Sequence, residues 1–275
     1  MRVGIALGSG GVKGLAHILM LEALDELGLR PVCVAGSSMG AIVGVLYCAG
    51  LHGRDLRNLV SEISLDEHSS WLDIIGKRGL LDWFKVIEPA FFGPGLLKAE
   101  GIIAKLFESI PVSTFEQLAV PLRVVAADFW ERTEVVLEAG SLPPAVQASM
   151  SLPGIFAPVL IGQRVLIDGG AVNPVPFDRL PDDCDITIAV DVIGQRSMEP
   201  SRLPSLTDAV FNTFQIMQKS IIREKLRRAM PTIYVEPMIQ DIRMLDFDKA
   251  HEVFKQAQPA KDDLLRQLEQ RLKKA

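Results

Sequence analysis

Residues 31–53 read PVCVAGSSMGAIVGVLYCAGLHG, from Pro31 to Gly53, 23 positions without an Asp, Glu, Lys or Arg. A membrane-spanning helix needs about 20 apolar residues, so length alone admits one. The middle of the stretch argues against it. Gly36-Ser37-Ser38-Met39-Gly40 is a poor helix interior, preceded by the β-rich VCVAG and followed by the helical AIVGVLYCAG. The stretch therefore reads as buried strand, sharp turn and helix, the opening unit of an α/β fold. It also contains Gly40-Ala41-Ile42-Val43-Gly44, a GxxxG pattern that pairs helices in membranes. In a helix behind a tight turn the same small residues serve close packing, and that reading is preferred.

Outward from this unit, short apolar runs alternate with amphipathic stretches, the pattern of helices over a mostly parallel sheet. Val3–Leu7, Val32–Ala35, Leu122–Ala127 and Ile186–Val192 are continuously apolar, as expected of strands covered on both faces. Val159–Ile161 and Val165–Ile167 flank Gly162-Gln163, a hairpin turn, and Arg132–Leu137 is placed to pair with Leu122–Ala127. Helices are expected at Gly14–Leu27, stopped by Gly28, and at Gly40–Ala49, Leu56–Ile63, Ala99–Ser109, Leu206–Met230 and Lys261–Lys274. No internal repeat or Ser/Gly linker interrupts the chain, so residues 1–275 are read as one domain, with 201–275 mainly helical.

Composition narrows the function class. Lys plus Arg number 29 against 34 Asp plus Glu, a net charge of −5, which disfavours a nucleic-acid partner. With 48% hydrophobic and 23% charged residues over 275 positions, a disordered chain is excluded and a large core is expected. Cys33, Cys48 and Cys184 are three, an odd number without a CxxC pair, so neither a disulfide framework nor a structural zinc site is expected. The opening MRVGIALGSGG is too short in apolar residues for a signal-peptide core. A cytoplasmic location is expected, with contact at the inner membrane surface open.

Three segments carry candidate chemistry. Gly36-Ser37-Ser38-Met39-Gly40 fits G-x-S-x-G between a strand and a helix, a turn that exposes the central hydroxyl of Ser38. The helix after it aims its positive end at charge developing there. Gly8-Ser9-Gly10-Gly11-Val12-Lys13-Gly14 also joins a strand to a helix. A Walker P-loop fails because Gly14 follows Lys13, and a dinucleotide fingerprint fails because Ser9 holds its first glycine position. An oxyanion hole built from the amides of Gly10 and Gly11 uses both loops in one reaction. Asp168-Gly169-Gly170 follows the apolar VLI, an acid at a strand's carboxyl end, where α/β sheets commonly place active sites.

Together with the block Ala148-Ser149-Met150-Ser151-Leu152-Pro153-Gly154-Ile155-Phe156-Ala157-Pro158-Val159, these segments resemble the patatin-like phospholipase family over Val3 to Pro176. The resemblance rests on the glycine loop through Gly14-Leu15-Ala16-His17, the GSSMG elbow, that block, and Asp168-Gly169-Gly170 with Asn173-Pro174-Val175-Pro176 behind it. It implies a three-layer α/β/α sandwich and an acyl hydrolase with a Ser–Asp dyad and no cofactor or metal. Ser38 would be the nucleophile, Asp168 the base, and Gly10 and Gly11 the oxyanion donors. Lys13, Gly14, Gly36, Gly40, Gly169 and Gly170 are the motif neighbours. Ser9 departs from the family, which usually has Gly there. The implied substrates are phospholipids, lysophospholipids or other fatty-acyl esters. Transacylation, and a lipid-binding or regulatory module without turnover, are the competing readings.

A Ser38…Asp168…His251 triad has the chain order of α/β-hydrolases. The elbow comes unusually early for that fold, and His251 lies in the charged stretch DFDKAHEVFKQ. His17 reads as structural, and His52 and His68 have no partner pattern. Ser69 to Leu97, with Trp71, Trp83, Phe84, Phe91 and Phe92, reads as a flap lining an acyl pocket or touching a membrane, or as a satellite cluster under a loop. The last helix, with Leu264, Leu265, Leu268 and Leu272 on one stripe, is expected to pack onto the domain. The basic end Arg223–Arg228 is expected on a solvated face.

Overall fold

The structure, a computed structural model, describes residues 1–65, 99–195 and 203–273. The aromatic stretch Ser69–Leu97 lies outside them. Along the chain run β1 (Val3–Leu7), α1 (Ala16–Glu26), β2 (Cys33–Ser37), α2 (Met39–Cys48), α3 (Gly53–Leu65), α4 (Glu100–Phe107), β3 (Leu122–Asp128), β4 (Thr133–Leu137), α5 (Leu142–Met150), β5 (Val159–Ile161), β6 (Arg164–Asp168), β7 (Ile186–Val190), α6 (Leu206–Arg228), β8 (Ile233–Val235) and α7 (Ala250–Leu272). The stretch 31–53 is thus β2, a turn and α2. Among the described residues no helix is long and apolar enough to cross a membrane.

The sheet is mixed. Its parallel run is ordered β3–β2–β1–β7–β8; β4 and β6 pair antiparallel with β3, and β5 pairs antiparallel with β6. The register around β3 positions the site. β2 pairs with β3 from Leu122 to Val125, ending with Ser37 opposite Val125. β6 pairs with it from Ala126 to Asp128, with Asp168 opposite Ala126. β4 pairs across Val124 to Asp128 and overlaps both, so it holds the opposite edge of β3. β2 and β6 therefore lie end to end on one edge, carboxyl terminus facing carboxyl terminus. The hairpin of β5 and β6 turns at Gly162, where φ is +62° and a glycine carries no strain.

Alternation along the strands divides the side chains between two layers. Ile5, Leu7, Val34, Ile186, Ile188 and Val190 face a large core with α1, α2 and α7. Ala6, Cys33, Ala35 and Ala189 face a thinner one with Phe177, Leu180 and Ile222 of α6. This is the expected three-layer sandwich. Both faces are covered, which explains why β1 reads as unbroken apolar sequence and is buried throughout.

Three elements, α7, α5 and β8, depart from the sequence expectation. α7 is one helix from Ala250 to Leu272 rather than starting at Lys261, with Pro259 inside it. Pro259 is exposed, and the buried stripe Ala250, Val253, Ala257, Lys261, Leu264 and Leu268 continues across it at helical spacing. Tertiary burial outweighs the proline's local cost of about 3 kcal/mol. Neither α5 nor β8 was expected: α5 begins on Leu142-Pro143-Pro144, prolines tolerated in a first turn, and β8 has three residues. The carboxyl-terminal helix packs on α1 as expected, and Leu272 at its end is 38% exposed.

The α1–α7 contact includes a buried charge. Lys261 Nζ donates to Glu22 Oε2 and Glu26 Oε1, each at 2.7 Å, and Arg57 donates to Glu22 Oε2 at 2.6 Å. Removing one member of a buried ion pair strands the other. Glu22 keeps Arg57, so Lys261→Met should lower the unfolding free energy by about 2 kcal/mol, below the full cost of an orphaned buried charge. Arg266→Ala, which breaks an exposed pair with Asp263, should change it by under about 0.5 kcal/mol. Urea denaturation of both variants checks the difference.

Candidate active site

Ser38 occupies the single residue between β2 and α2, at φ 57° and ψ −120°. A non-glycine residue with positive φ is strained and persists only where its surroundings enforce it. Here they do. A Cβ on Gly40 would lie 2.0 Å from the Leu7 carbonyl oxygen, and one on Gly36 would lie 2.6 Å from that of Gly40. Only glycines let β1, β2 and α2 approach this closely. The Ser38 amide donates to Ser149 Oγ at 2.9 Å, and that hydroxyl donates to the Val125 carbonyl at 2.6 Å. α5 thus fixes the elbow from the side. Ser38 is half-buried, whereas Ser37 and Ser9 are buried.

Asp168 ends β6. Its Oδ2 accepts from Ser38 Oγ at 2.6 Å, its Oδ1 accepts from the Gly170 amide at 2.7 Å, and its own amide donates to the Ser151 carbonyl at 3.0 Å. The residue is 2% exposed. Burial raises its pKa from 3.8 to about 6, opposed by the hydrogen bonds from Ser38 and Gly170. No charged side chain contributes to that shift. The result is a carboxylate more basic than usual, already hydrogen-bonded to the hydroxyl of a residue with a strained backbone.

The glycine loop lies against both. A Cβ on Gly14 would meet Met39 Cγ at 2.4 Å, and one on Gly170 would meet Ser9 Oγ at 2.8 Å. The Gly8, Ser9 and Val12 amides donate to the carbonyls of Val190, Pro174 and Met244 at 3.0, 2.8 and 2.9 Å. Among the described residues none accepts from the amides of Gly10 or Gly11. Gly11 has φ +59°, and its Cα faces the Met244 carbonyl so closely that a Cβ would lie 2.2 Å from the oxygen. Lys13 is buried and donates to the Ile193 carbonyl; burial and Lys219 lower its amine to about 8, against the pull of Asp191. His17 Nε2 bonds the Gly8 carbonyl at 2.7 Å, and burial lowers its pKa to about 4. It is therefore a neutral imidazole bracing the loop.

The structure brings together Ser38, Asp168, Gly169, Gly170 and the glycine loop with Lys13 and Gly14. It leaves His251 exposed on α7, and the hydrogen bonds at Asp168 come from Ser38 and Gly170. His52 is exposed, 3.5 Å from Asp25; His68 lies outside the described residues. Among the described residues no group of His, Cys, Asp or Glu is placed to hold a metal, and all three cysteines are free. Two contributors had no assigned role in the sequence. Ser149 lay in a quoted block without one, and Gln218 of α6, bonded to Ser9 Oγ at 2.8 Å, is 209 positions away from it.

Known proteins resemble this chain in sequence and in fold. The model of a family described as patatin-like phospholipase matches residues 5–181. An uncharacterised NTE family protein of Mycobacterium tuberculosis is 34% identical over 224 residues, covering 77% of this chain and 58% of that protein. Lysophospholipase NTE1 of Candida glabrata is 24% identical over 277 residues, covering 92% of this chain and 15% of that protein. The chain thus spans little more than half the length of the mycobacterial relative. VipD from Legionella pneumophila shares the fold, with a TM-score of 0.52 at 14% identity over 97% of this chain and 66% of that one.

The raised pKa of Asp168 is also a statement about stability. A carboxyl whose pKa rises on folding destabilises the protein wherever it is ionised in the unfolded chain. The penalty is complete above about 6, shrinks as pH falls through that value, and vanishes below the unfolded 3.8. The gap between 3.8 and about 6 corresponds to about 3 kcal/mol. Asn at this position can still accept from Gly170 and face Ser38. Asp168→Asn should therefore unfold at higher urea than the parent at pH 8, by about 2 kcal/mol, and lose that advantage toward pH 4. Denaturation at the two pH values measures it.

Proposed function

The chain belongs to the patatin-like phospholipase family, and from that premise we propose that it is a serine-dependent lipid acyl hydrolase. The observation that carries this reading is the 2.6 Å hydrogen bond from Ser38 Oγ, at φ 57°, to a buried Asp168. Its substrates are carboxylic esters of fatty acyl chains, phospholipids and lysophospholipids among them.

Ser38 Oγ attacks the ester carbonyl carbon while its proton passes to Asp168 Oδ2. The carbonyl oxygen becomes an oxyanion, stabilised by the amides of Gly10 and Gly11. Collapse of the tetrahedral intermediate breaks the bond to the leaving alcohol, which takes the proton from Asp168. Water then attacks the acyl-enzyme, returns a proton to Asp168, and the acid leaves as Ser38 recovers its hydrogen. A carboxylate with its pKa near 6 suits this role better than an ordinary one, because proton transfer improves as the base approaches the working pH. The glycine loop is braced by His17 at the Gly8 carbonyl and by Lys13 at the Ile193 carbonyl.

A fluorophosphonate probe should label Ser38 and leave the buried Ser37 and Ser9 unlabelled, as mass spectrometry of the adduct will report. Labelling that persists in Ser38→Ala would sink the assignment, and a binding module without turnover would show none. Asp168→Asn should lower ester turnover by at least about 100-fold, the low end of a general base's contribution. His251→Ala should leave it unchanged. For the parent, kcat/KM should rise with pH through about 6 as Asp168 loses its proton, then level.

A further inference from the structure

α6 lies outside every motif that identifies the family, yet one of its faces reaches the site. Ile222 packs in the thinner core, Lys225 donates to Asn173, to Asp178 and to the Val175 carbonyl, and one turn before Ile222 comes Gln218. Gln218 is 1% exposed. Its Nε2 carries two hydrogens and has two acceptors: Ser9 Oγ at 2.8 Å and the Gly170 carbonyl at 3.2 Å. Ser9 belongs to the glycine loop, Gly170 to the loop of Asp168.

We propose that Gln218 and Ser9 form a positioning strut, tying the oxyanion loop to the Asp168 loop in one fixed spacing. The proposal rests on the hydrolase reading above and concerns residues which that reading does not use. A glycine at position 9 would leave Gln218 without its shorter hydrogen bond. The serine is anchored on its other side as well, its Oγ to the Pro174 carbonyl at 3.4 Å and its amide to the same oxygen at 2.8 Å. On the aspartate side the path is short. Gln218 holds the carbonyl of Gly170, and the amide of Gly170 holds Asp168 Oδ1 at 2.7 Å. The fit is close: a Cβ on Gly170 would lie 2.4 Å from Gln218 Nε2. Gln218 Oε1 is buried with no partner among the described residues. An apolar residue of the same size would avoid that penalty, so the two donor bonds are what the carboxamide contributes.

The strut should be felt in kcat more than in KM, because it orients reacting groups rather than binding the acyl chain. The groups acting on Asp168 are the Ser38 hydroxyl from the elbow and the Gly170 amide from its own loop, with no ionisable side chain among them. Loosening Gly170 therefore weakens a bond to the ionised carboxylate and moves the acidic limb of activity to higher pH.

The test compares the parent, Ser9→Gly, Gln218→Leu and the double variant. It measures kcat and KM for p-nitrophenyl butyrate from pH 4 to 9, and the rate of fluorophosphonate labelling at Ser38. Gln218→Leu should lower kcat and labelling by about tenfold, less than the roughly hundredfold of a full ångström's misplacement. KM should stay within about twofold, and the acidic midpoint should rise. Ser9→Gly should lower labelling by about threefold, with the double variant no slower than Gln218→Leu alone, because both changes break one connection. Parental kcat and midpoint in Gln218→Leu would overturn the strut, as would a loss of stability with parental turnover per folded molecule. If Gln218→Leu fails to fold, Ser9→Gly, which only removes a hydroxymethyl group, decides: parental labelling refutes the proposal. A parent that fails to label at all sinks the hydrolase reading and the strut together; a labelled parent with unaltered variants sinks the strut alone.

Discussion

Two strands share one edge of β3, and Ser38 and Asp168 meet where the first stops and the second begins. Val125 is the last residue of β3 paired with β2, through Ser37; Ala126 is the first paired with β6, through Asp168. Because the two pairings are parallel and antiparallel, both strands end at this point, and their next groups have nowhere to continue. The elbow turns into α2 at Ser38, and the Asp168 loop turns away through Gly169. A Cβ on Gly169 would lie 2.1 Å from the Val125 carbonyl and 2.8 Å from Ser37 Oγ, so the junction admits only a glycine. The hydroxyl–carboxylate contact is a consequence of sheet register, and neither side chain has to search for the other.

That junction concentrates unfavourable groups. Ser38 is in a strained backbone conformation, of order 1–3 kcal/mol, and Asp168 is a carboxylate held away from water. Neither would persist on a mobile loop. The surroundings over-determine them: Ser149 takes the Ser38 amide, Gly170 and Ser38 occupy the two Asp168 oxygens, and Ser151 accepts the Asp168 amide. The partners come from α5, the residue that caps it and the loop after β6, so the cost is spread over the large core behind α2 and α5. On the proposed hydrolase reading, a site of this kind is preorganised for charge that develops during reaction rather than for the resting state.

The local half of this arrangement was legible in the sequence. The elbow, the glycine loop and Asp168-Gly169-Gly170 are short segments whose chemistry depends on residues a few positions apart, and glycines mark each close approach. The hairpins at Gly162 and between β3 and β4 were visible for the same reason. What was hidden depends on long-range burial. The last helix was expected only from Lys261, yet α7 passes through Pro259 because its buried stripe runs unbroken from Ala250 to Leu268. α5 was masked by Pro143 and Pro144, although it supplies Ser149. Gln218 carries no local signal, because its partners are brought to it by the fold alone.

The thinner face of the sheet explains how a helix so distant in sequence comes within hydrogen-bond reach. On that side β1, β2 and β7 present Ala6, Ala35 and Ala189, and a Cβ on Gly4 would already lie 2.9 Å from Cys184 Sγ. Side chains of that size let the outer layer settle close to the strands, where larger ones would hold it away. The opposite face, with Ile5, Leu7, Ile188 and Val190, supplies most of the buried apolar volume. Stability and positioning are thus divided between the two layers. The thick core fixes the sheet and the register that joins Ser38 to Asp168, while the thin one brings polar side chains of α6 onto the loops that carry the amides and the carboxylate.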